Sequence, residues 1–302
     1  MKIQQFIKEV KHSHPEFFIK STLKGFLLIA HAWLVILASA FVFSIFPNLI
    51  VGALVVLIIG SRQLGIAVLM HEAAHRTLVN GKNLNDFLGS WFCSLPVIYS
   101  LKDYRAYHLQ HHQNTQQSND PDLHLSKKFP VTSLSMARKF IRDLSGLTGL
   151  KLRFYQLRGF ILSNKEFIQK STSFGRVLLS QLILFGIFST LFSYEYYFYF
   201  WLLPLLTWFQ FITRVRNIAE HAMVLDDDNP LLHARHIDAN LIERAFFAPY
   251  FVNYHLEHHL LMSLPCYKFK VFYGMLVKKF GKDNLETKSS YFEVVRMAAL
   301  DS

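Results

Sequence analysis

The chain has little of what builds several common kinds of site. Its 302 residues include two cysteines, Cys93 and Cys266, and these form no Cys-x-x-Cys pair. No disulfide framework, thiolate metal site or iron–sulfur cluster is therefore indicated. No Gly-x-Gly-x-x-Gly run occurs, so no dinucleotide-binding turn is expected. The first residues, MKIQQFIKEVKHSHPEFF, are polar and lack a small-residue cleavage site, so no cleaved signal peptide is expected. Acids are few: 21 Asp and Glu stand against 32 Lys and Arg, a net charge of +11. Such a balance suits nucleic acid, anionic lipid or acidic partners.

The absence of charge over long stretches decides among these. Residues 25–61 contain no Lys, Arg, Asp or Glu, and residues 177–213 contain only Glu195. A membrane-crossing helix needs about 20 apolar residues. Each stretch is too long for one crossing and about right for two. Phe46-Pro47-Asn48 breaks the first stretch near its middle, and Ser193-Tyr194-Glu195-Tyr196 breaks the second. The expected spans are 26–46, 49–70, 177–193 and 196–213. All basic residues then fall at the open ends of two hairpins, which the positive-inside rule assigns to the cytosol. The expectation is an all-α, multi-pass integral membrane protein of one domain, 1–302. Its hairpins cover about 26–70 and 177–213. A helical cytosolic cap, 71–175 and 214–302, is expected to hold a metal site. Both termini are expected in the cytosol, and the membrane is expected to be a bacterial inner membrane. Nucleic acid is not an expected partner.

Residues 127–176 hold 11 Lys and Arg against two acids, Asp143 and Glu166. Phe140, Ile141, Leu144, Leu147 and Leu150 recur between the charges, as in helices lying among lipid headgroups. Residues 266–302 look similar, with Lys268, Lys270, Lys278, Lys279 and Lys282 among aromatics.

Histidine carries the chemistry. Nine of the 15 histidines fall into compact groups: His71 and His75 in HEAAH, His108, His111 and His112 in HLQHH, His221 in NIAEH, and His255, His258 and His259 in HLEHH. At this histidine frequency, two independent HxxHH runs have a chance probability of roughly 0.001. On a helix, residues i, i+3 and i+4 share a face, so each group presents its imidazoles in one direction. The topology brings all four groups to one surface. Nine imidazoles exceed what one tetrahedral zinc needs and match two metal ions with four or five ligands each. Imidazole suits Fe, Zn, Cu and Ni alike, so the ligands do not select the metal.

The order HxxxH, HxxHH, NxxxH, HxxHH, set between two hairpins, resembles the membrane fatty acid desaturase family over roughly residues 25–262. The matching segments are HEAAHRTL, YHLQHHQNTQQSNDPDL, RNIAEH and NYHLEHHL. The resemblance implies two iron ions held by His71, His75, His108, His111, His112, His221, His255, His258 and His259, with Asn217 acting through water. It also implies O₂ as co-substrate and removal of two vicinal hydrogens from an acyl chain. The electrons would come from a separate ferredoxin, cytochrome b5-like protein or reductase. The acyl group would be carried as a lipid, on CoA or on acyl carrier protein. His255 stands where front-end desaturases usually carry Gln, and no HPGG segment is present, so that subclass is disfavoured.

Glu72, Glu220 and Glu257 are candidates for orienting imidazoles through their second nitrogen, Asp120 is a candidate for supporting the ligands of the second box, and Gln63, on one helix stripe with Ala67, His71 and His75, for touching the site or its water. No separate acid or base is assigned. Trp91, Phe92, Leu95 and Pro96 are candidates for lining an acyl tunnel. His31 reads as a packing histidine. His233 and His236 lie in a polar loop and read as surface residues. Hydroxylases, carotenoid ketolases and alkene-forming decarboxylases share the scaffold and are the near alternatives. HEAAH also satisfies HExxH, so a membrane zinc protease with Glu72 as base is a remote one. A non-catalytic metal-binding or lipid-receptor protein is another.

Overall fold

An apolar surrounding offers the backbone no water to bond, so long apolar stretches close their own hydrogen bonds as helix. In the computed structural model three helical segments are long and apolar enough to cross a membrane: Thr22–Ile45, Leu49–Ala74 and Thr172–Leu191. Residues 2–162, 167–225 and 229–300 are described, apart from the side chains of Lys2 and residues 160–171; Glu166 lies outside the described residues. Ser21 caps the first helix by accepting from the Lys24 amide, and Asn48 caps the second by accepting from the Val51 amide at 3.0 Å. Between them falls the Phe46–Asn48 break. Leu49 and Ile50 are 89% and 74% exposed. In water each would cost about 1.5–3 kcal/mol relative to burial, whereas a lipid surrounding removes that cost.

The second helix is longer than its expected span. It runs unbroken through His71 to Ala74 and is buried on nearly every side from Ile59 onward. The polar box is thereby carried by the same rigid rod as the apolar residues.

The fourth stretch is not the single helix expected over 196–213. It comprises Tyr194–Tyr197, a π-helical turn Phe198–Leu202, a short helix Leu203–Leu206, a break at Thr207, and the helix Trp208–His221. Pro204 has no amide to donate and so weakens the ladder here. Side chains add to the backbone bonds around the break: Thr207 Oγ1 donates to Leu203 O at 2.6 Å, and Gln210 Nε2 to Leu205 O at 2.9 Å. Trp208 Nε1 donates to Ser61 Oγ at 3.0 Å, tying the break to the second helix.

The chain is mostly helical rather than wholly so. Among the described residues, Val131–Thr132 pairs in parallel with Ala299–Leu300, and His236–Ile237 with Thr287–Lys288. Such two-residue ladders leave no period-two pattern to read.

The basic segment forms the helices Ser133–Leu144 and Leu147–Leu162. Ile141, Leu144, Leu147 and Leu150 are exposed on them, while Phe140 packs on Phe211. Asp143 is wholly buried and accepts from Arg214 and from Thr148 Oγ1, which fastens this pair to the helix Trp208–His221. The helix Phe269–Phe280 differs from the expected headgroup helix. Its Phe269, Phe272 and Leu276 are buried in a protein core with Ile3, Phe6 and Val10 of the helix Lys2–Ser13. The N-terminal helix covers the apolar face that the sequence pattern assigned to lipid.

Candidate metal centre

The nine box histidines come together as two groups. His71, His75, His108, His112 and His258 form one; His111, His221, His255 and His259 form the other. Within each group the nearest ring nitrogens lie within 4.8 Å of one another. Helix geometry explains the division. Residues i and i+4 are about 40° apart around a helix, whereas i+3 lies about 60° to the other side. In HLQHH the i, i+4 pair His108 and His112 enters the first group and His111 the second. In HLEHH the pair His255 and His259 enters the second group and His258 the first. Two short helices, Leu101–Gln113 and His255–Leu260, thus each supply both groups.

The nitrogens converge on points rather than on partners. In the first group His112 Nε2 lies 2.9 Å from the Nε2 of both His108 and His258. In the second, His221 Nε2 lies 2.8 Å from His255 Nε2 and 3.2 Å from His111 Nε2, and His259 Nε2 lies 3.0 Å from His255 Nε2. Two imidazole nitrogens about 2.1 Å from one ion at right angles would stand about 3 Å apart. Both nitrogens of His71, and Nε2 of His75, are buried with no hydrogen-bond partner in the protein. Unused buried polar atoms require a reason, and a metal ion at each focus supplies one. The donor set therefore fits two metal ions.

The rings are held in the form a metal requires. Burial, reinforced by neighbouring imidazoles, keeps the pKa values of His108, His255, His258 and His259 well below the ordinary histidine value. Burial and the charge of Arg105 lower His75 to about 4. Neutral imidazoles carry the lone pair that binds a cation.

The five carboxylate and amide candidates differ in what they touch. Asp120 Oδ1 accepts from His111 Nδ1 at 2.8 Å, and its oxygens also accept from the amides of Asp122 and Gln116. Burial opposes ionisation of Asp120, but these bonds outweigh it and hold its carboxyl below the usual range. Glu220 pairs with Arg216 and lies 3.6 Å from His255 Nε2. Glu257 is wholly buried and lies 2.8 Å from Nδ1 of His236. Glu72 Oε2 accepts from the Cys266 amide and Thr77 Oγ1, tying the first box to the segment after the last. Gln63 donates to Trp201 O in the π-helical turn, away from the imidazoles.

His236 departs from the surface reading. It is 1% exposed and stacked on Tyr273 with centroids 3.9 Å apart. The backbone of His233 also faces the site, its carbonyl 3.4 Å from His221 Nδ1. His31 is exposed rather than packed in the core, and its Nδ1 lies 2.9 Å from the Tyr250 hydroxyl.

A cavity of about 480 Å³ opens beside the centre. Leu64, Ala67, Met70 and Phe209 form an apolar side; Thr213, Arg216, Asn217 and Glu220 form a polar side next to His108, His111, His221 and His255. Asn217 lines the same cavity as His111, His221 and His255 of the second group. Trp91, Phe92, Leu95 and Pro96, the candidates for tunnel lining, do not border it. Gly89–Ser94 is a π-helical turn pressed on the second long helix, where a Cβ on Gly89 would lie 2.3 Å from the Ala73 Cβ. Among the lining residues, Ala67 lies four before His71 and so shares its helix face, whereas Met70 was hidden in an apolar run.

Comparison with known proteins agrees with this geometry. The profile of the fatty acid desaturase family matches residues 47–290. The chain is also similar to dihydrorhizobitoxine desaturase of Bradyrhizobium elkanii, with 28% identity over 225 residues. The similar region covers 70% of this chain and 64% of that protein, so the chain spans less than two thirds of that relative's length.

Proposed function

The chain belongs to the fatty acid desaturase family, and from that premise we propose that it is an O₂-dependent membrane desaturase that converts a CH₂–CH₂ unit of an acyl chain to CH=CH. The observation that carries this reading is the pair of histidine groups, interleaved through HLQHH and HLEHH, at one side of a cavity with an apolar wall. Removing hydrogen from an unactivated methylene lies beyond amino-acid side chains. Two irons, held by the five and the four histidines, would supply O₂ activation and the oxidising power. Balance requires two electrons and two protons per O₂, with two waters formed.

The protein's own groups do the rest. Leu64, Ala67, Met70 and Phe209 bind alkyl chain and exclude water. Asp120 fixes the proton of His111 on Nδ1 and so turns Nε2 toward the second focus. Asn217 and Glu220 border the cavity beside that focus and can hold water there. In this reading the fourth stretch completes two hairpins, the centre faces the cytosol of a bacterium, and the basic surface docks an acidic electron donor. The donor is a separate ferredoxin, cytochrome b5-like protein or reductase. The acyl group arrives as a lipid or on CoA or acyl carrier protein.

The same scaffold could hydroxylate, form a ketone or decarboxylate to an alkene. A peptidase is disfavoured because Glu72 is engaged by Cys266 and Thr77 rather than facing a metal-bound water. The test is expression in a host of defined fatty-acid content, followed by lipid mass spectrometry. A product two mass units lighter with one new double bond is expected. Hydroxylated or shortened products without it would refute desaturation.

A further inference from the structure

Arg235 has no part in the boxes, yet it is wholly buried, and a buried guanidinium requires partners for its donors. All three of its nitrogens have them. Nη1 donates to Ala219 O at 2.9 Å and Nη2 to Ala222 O at 3.0 Å; Nε donates to Glu286 Oε1 at 2.7 Å. The Arg235 amide donates to Glu220 O at 3.0 Å. Three carbonyls around the end of the helix Trp208–His221 are thus met by one residue. Helix-end carbonyls lack intrahelical partners and carry negative potential, so a cation is well matched to them.

The other end of this clamp lies far away in sequence. The His236 amide donates to Glu286 O at 2.9 Å, and the Glu286 amide to Leu231 O at 3.1 Å. His236–Ile237 then pairs with Thr287–Lys288. His233, two residues before Arg235, directs its carbonyl at His221 Nδ1. The Arg235 side chain itself meets the helix end that carries His221, while the strand after it, His236–Ile237, also bonds Asn253 and bridges Tyr254 just before the last box. His221 belongs to the second group, which has four imidazoles against five in the first.

We propose that Arg235 is a positioning residue, bound to Glu286, that fixes His221 and so makes the second metal position depend on the C-terminal segment. The hydrogen bonds of the Arg235 side chain reach none of the helices that carry the first group, so the first position survives loss of the Arg235–Glu286 pair. This inference rests on the two-metal reading above.

The experiment loads purified protein in detergent with iron(II), and separately with cobalt(II), and measures metal per chain and the cobalt visible spectrum. The variants are Arg235→Lys, Glu286→Gln and the double change Arg235→Leu with Glu286→Leu. The double change removes both charges together and leaves neither buried unpaired. The native chain is expected to hold about two metals. The double variant is expected to hold about one, with cobalt bands for one class of site lost and helix content unchanged. Arg235→Lys is expected to fall between, since an ammonium cannot reach three acceptors at once. Two metals and an unchanged spectrum in the double variant would overturn the proposal and leave the two-metal reading standing. So would loss of both metals from a protein of native helix content. If the double variant does not fold, Glu286→Gln decides: selective weakening of one metal supports the clamp, and equal weakening of both overturns it. A native chain that holds fewer than two metals would overturn both readings.

Discussion

Nδ1 of His111 lies 2.8 Å from Oδ1 of Asp120, and both side chains are almost completely buried. This contact selects the tautomer of His111 and aims its other nitrogen at the second focus. An amide at position 120 could donate as well as accept and would no longer select one form. Loss of such an orienting group costs about 10–100-fold in metal affinity or activity. Asp120→Asn should therefore weaken the second metal by that factor and leave the first in place. His111→Ala should abolish product while the protein stays in the membrane. Metal analysis and membrane fractionation check both, and wild-type metal affinity in Asp120→Asn would refute the role given to the carboxylate.

Ala67 is the smallest side chain on the apolar wall of the cavity. Ala67→Phe should obstruct the space beside the histidines without removing any of them. Product formation should fall by about 100-fold or more, the scale at which displaced substrates lose rate. Iron content should stay at the native value. Loss of iron together with activity would show that Ala67 serves the centre rather than the cavity.

Gly149 and Gly159 lie on one helix in opposite circumstances. A Cβ at Gly149 would stand 2.4 Å from Leu206 O and 2.7 Å from Leu206 Cα, whereas one at Gly159 would meet nothing within 4 Å. Leu206 borders the break in the fourth stretch, so the helix must move away if position 149 gains a side chain. Gly149→Ala should destabilise by about 1–3 kcal/mol. Gly159→Ala should be neutral or stabilising by up to about 1 kcal/mol, from helix propensity. Thermal unfolding in detergent compares the two, and equal effects would contradict the close approach.

Acid should destabilise the metal-free protein. The folded-state value of His75 is lowered from 6.5 to about 4, and those of His108, His255, His258 and His259 lie well below 6.5. Between pH 6.5 and about 4 the unfolded chain takes up protons at these histidines and the folded chain does not. Stability is thus fully present above 6.5 and lost as the pH falls. For His75 this loss runs from 6.5 down to about 4, and the other four histidines add to it in the same direction. Denaturation of chelator-treated protein between pH 7.5 and 5 measures the slope, and a flat profile would contradict neutral buried rings.

Much of the architecture is legible in the sequence. Residues 25–61 exclude charge, so their helices and the break at Pro47 were visible. Asn48 was visible as part of that break, though its cap on Val51 was not. The fourth stretch was not legible to the same degree. Its break at Thr207 is met by Ser61 and Gly149, which lie elsewhere in the chain. His236 was misread because its loop is polar in sequence, while Tyr273 and Glu257, which bury it, arrive from other segments. The apolar face of Phe269–Phe280 was given to lipid because hydrophobic spacing does not name what covers it.

Spacing along the chain determined that each box presents its imidazoles together, since 3.6 residues per turn brings i, i+3 and i+4 to one side of any helix. It also determined that nine of them exceed the needs of one ion. Only the tertiary structure decided which imidazole joins which group. The angle between i+3 and i+4 acquires meaning when two helices cross between two foci, with His111 falling on one side and His108 and His112 on the other. Arg235 belongs wholly to the second kind of knowledge. Its partners Ala219, Ala222 and Glu286 lie up to 67 positions apart in the chain, and a charged residue in a loop reveals neither its burial nor the helix end it holds.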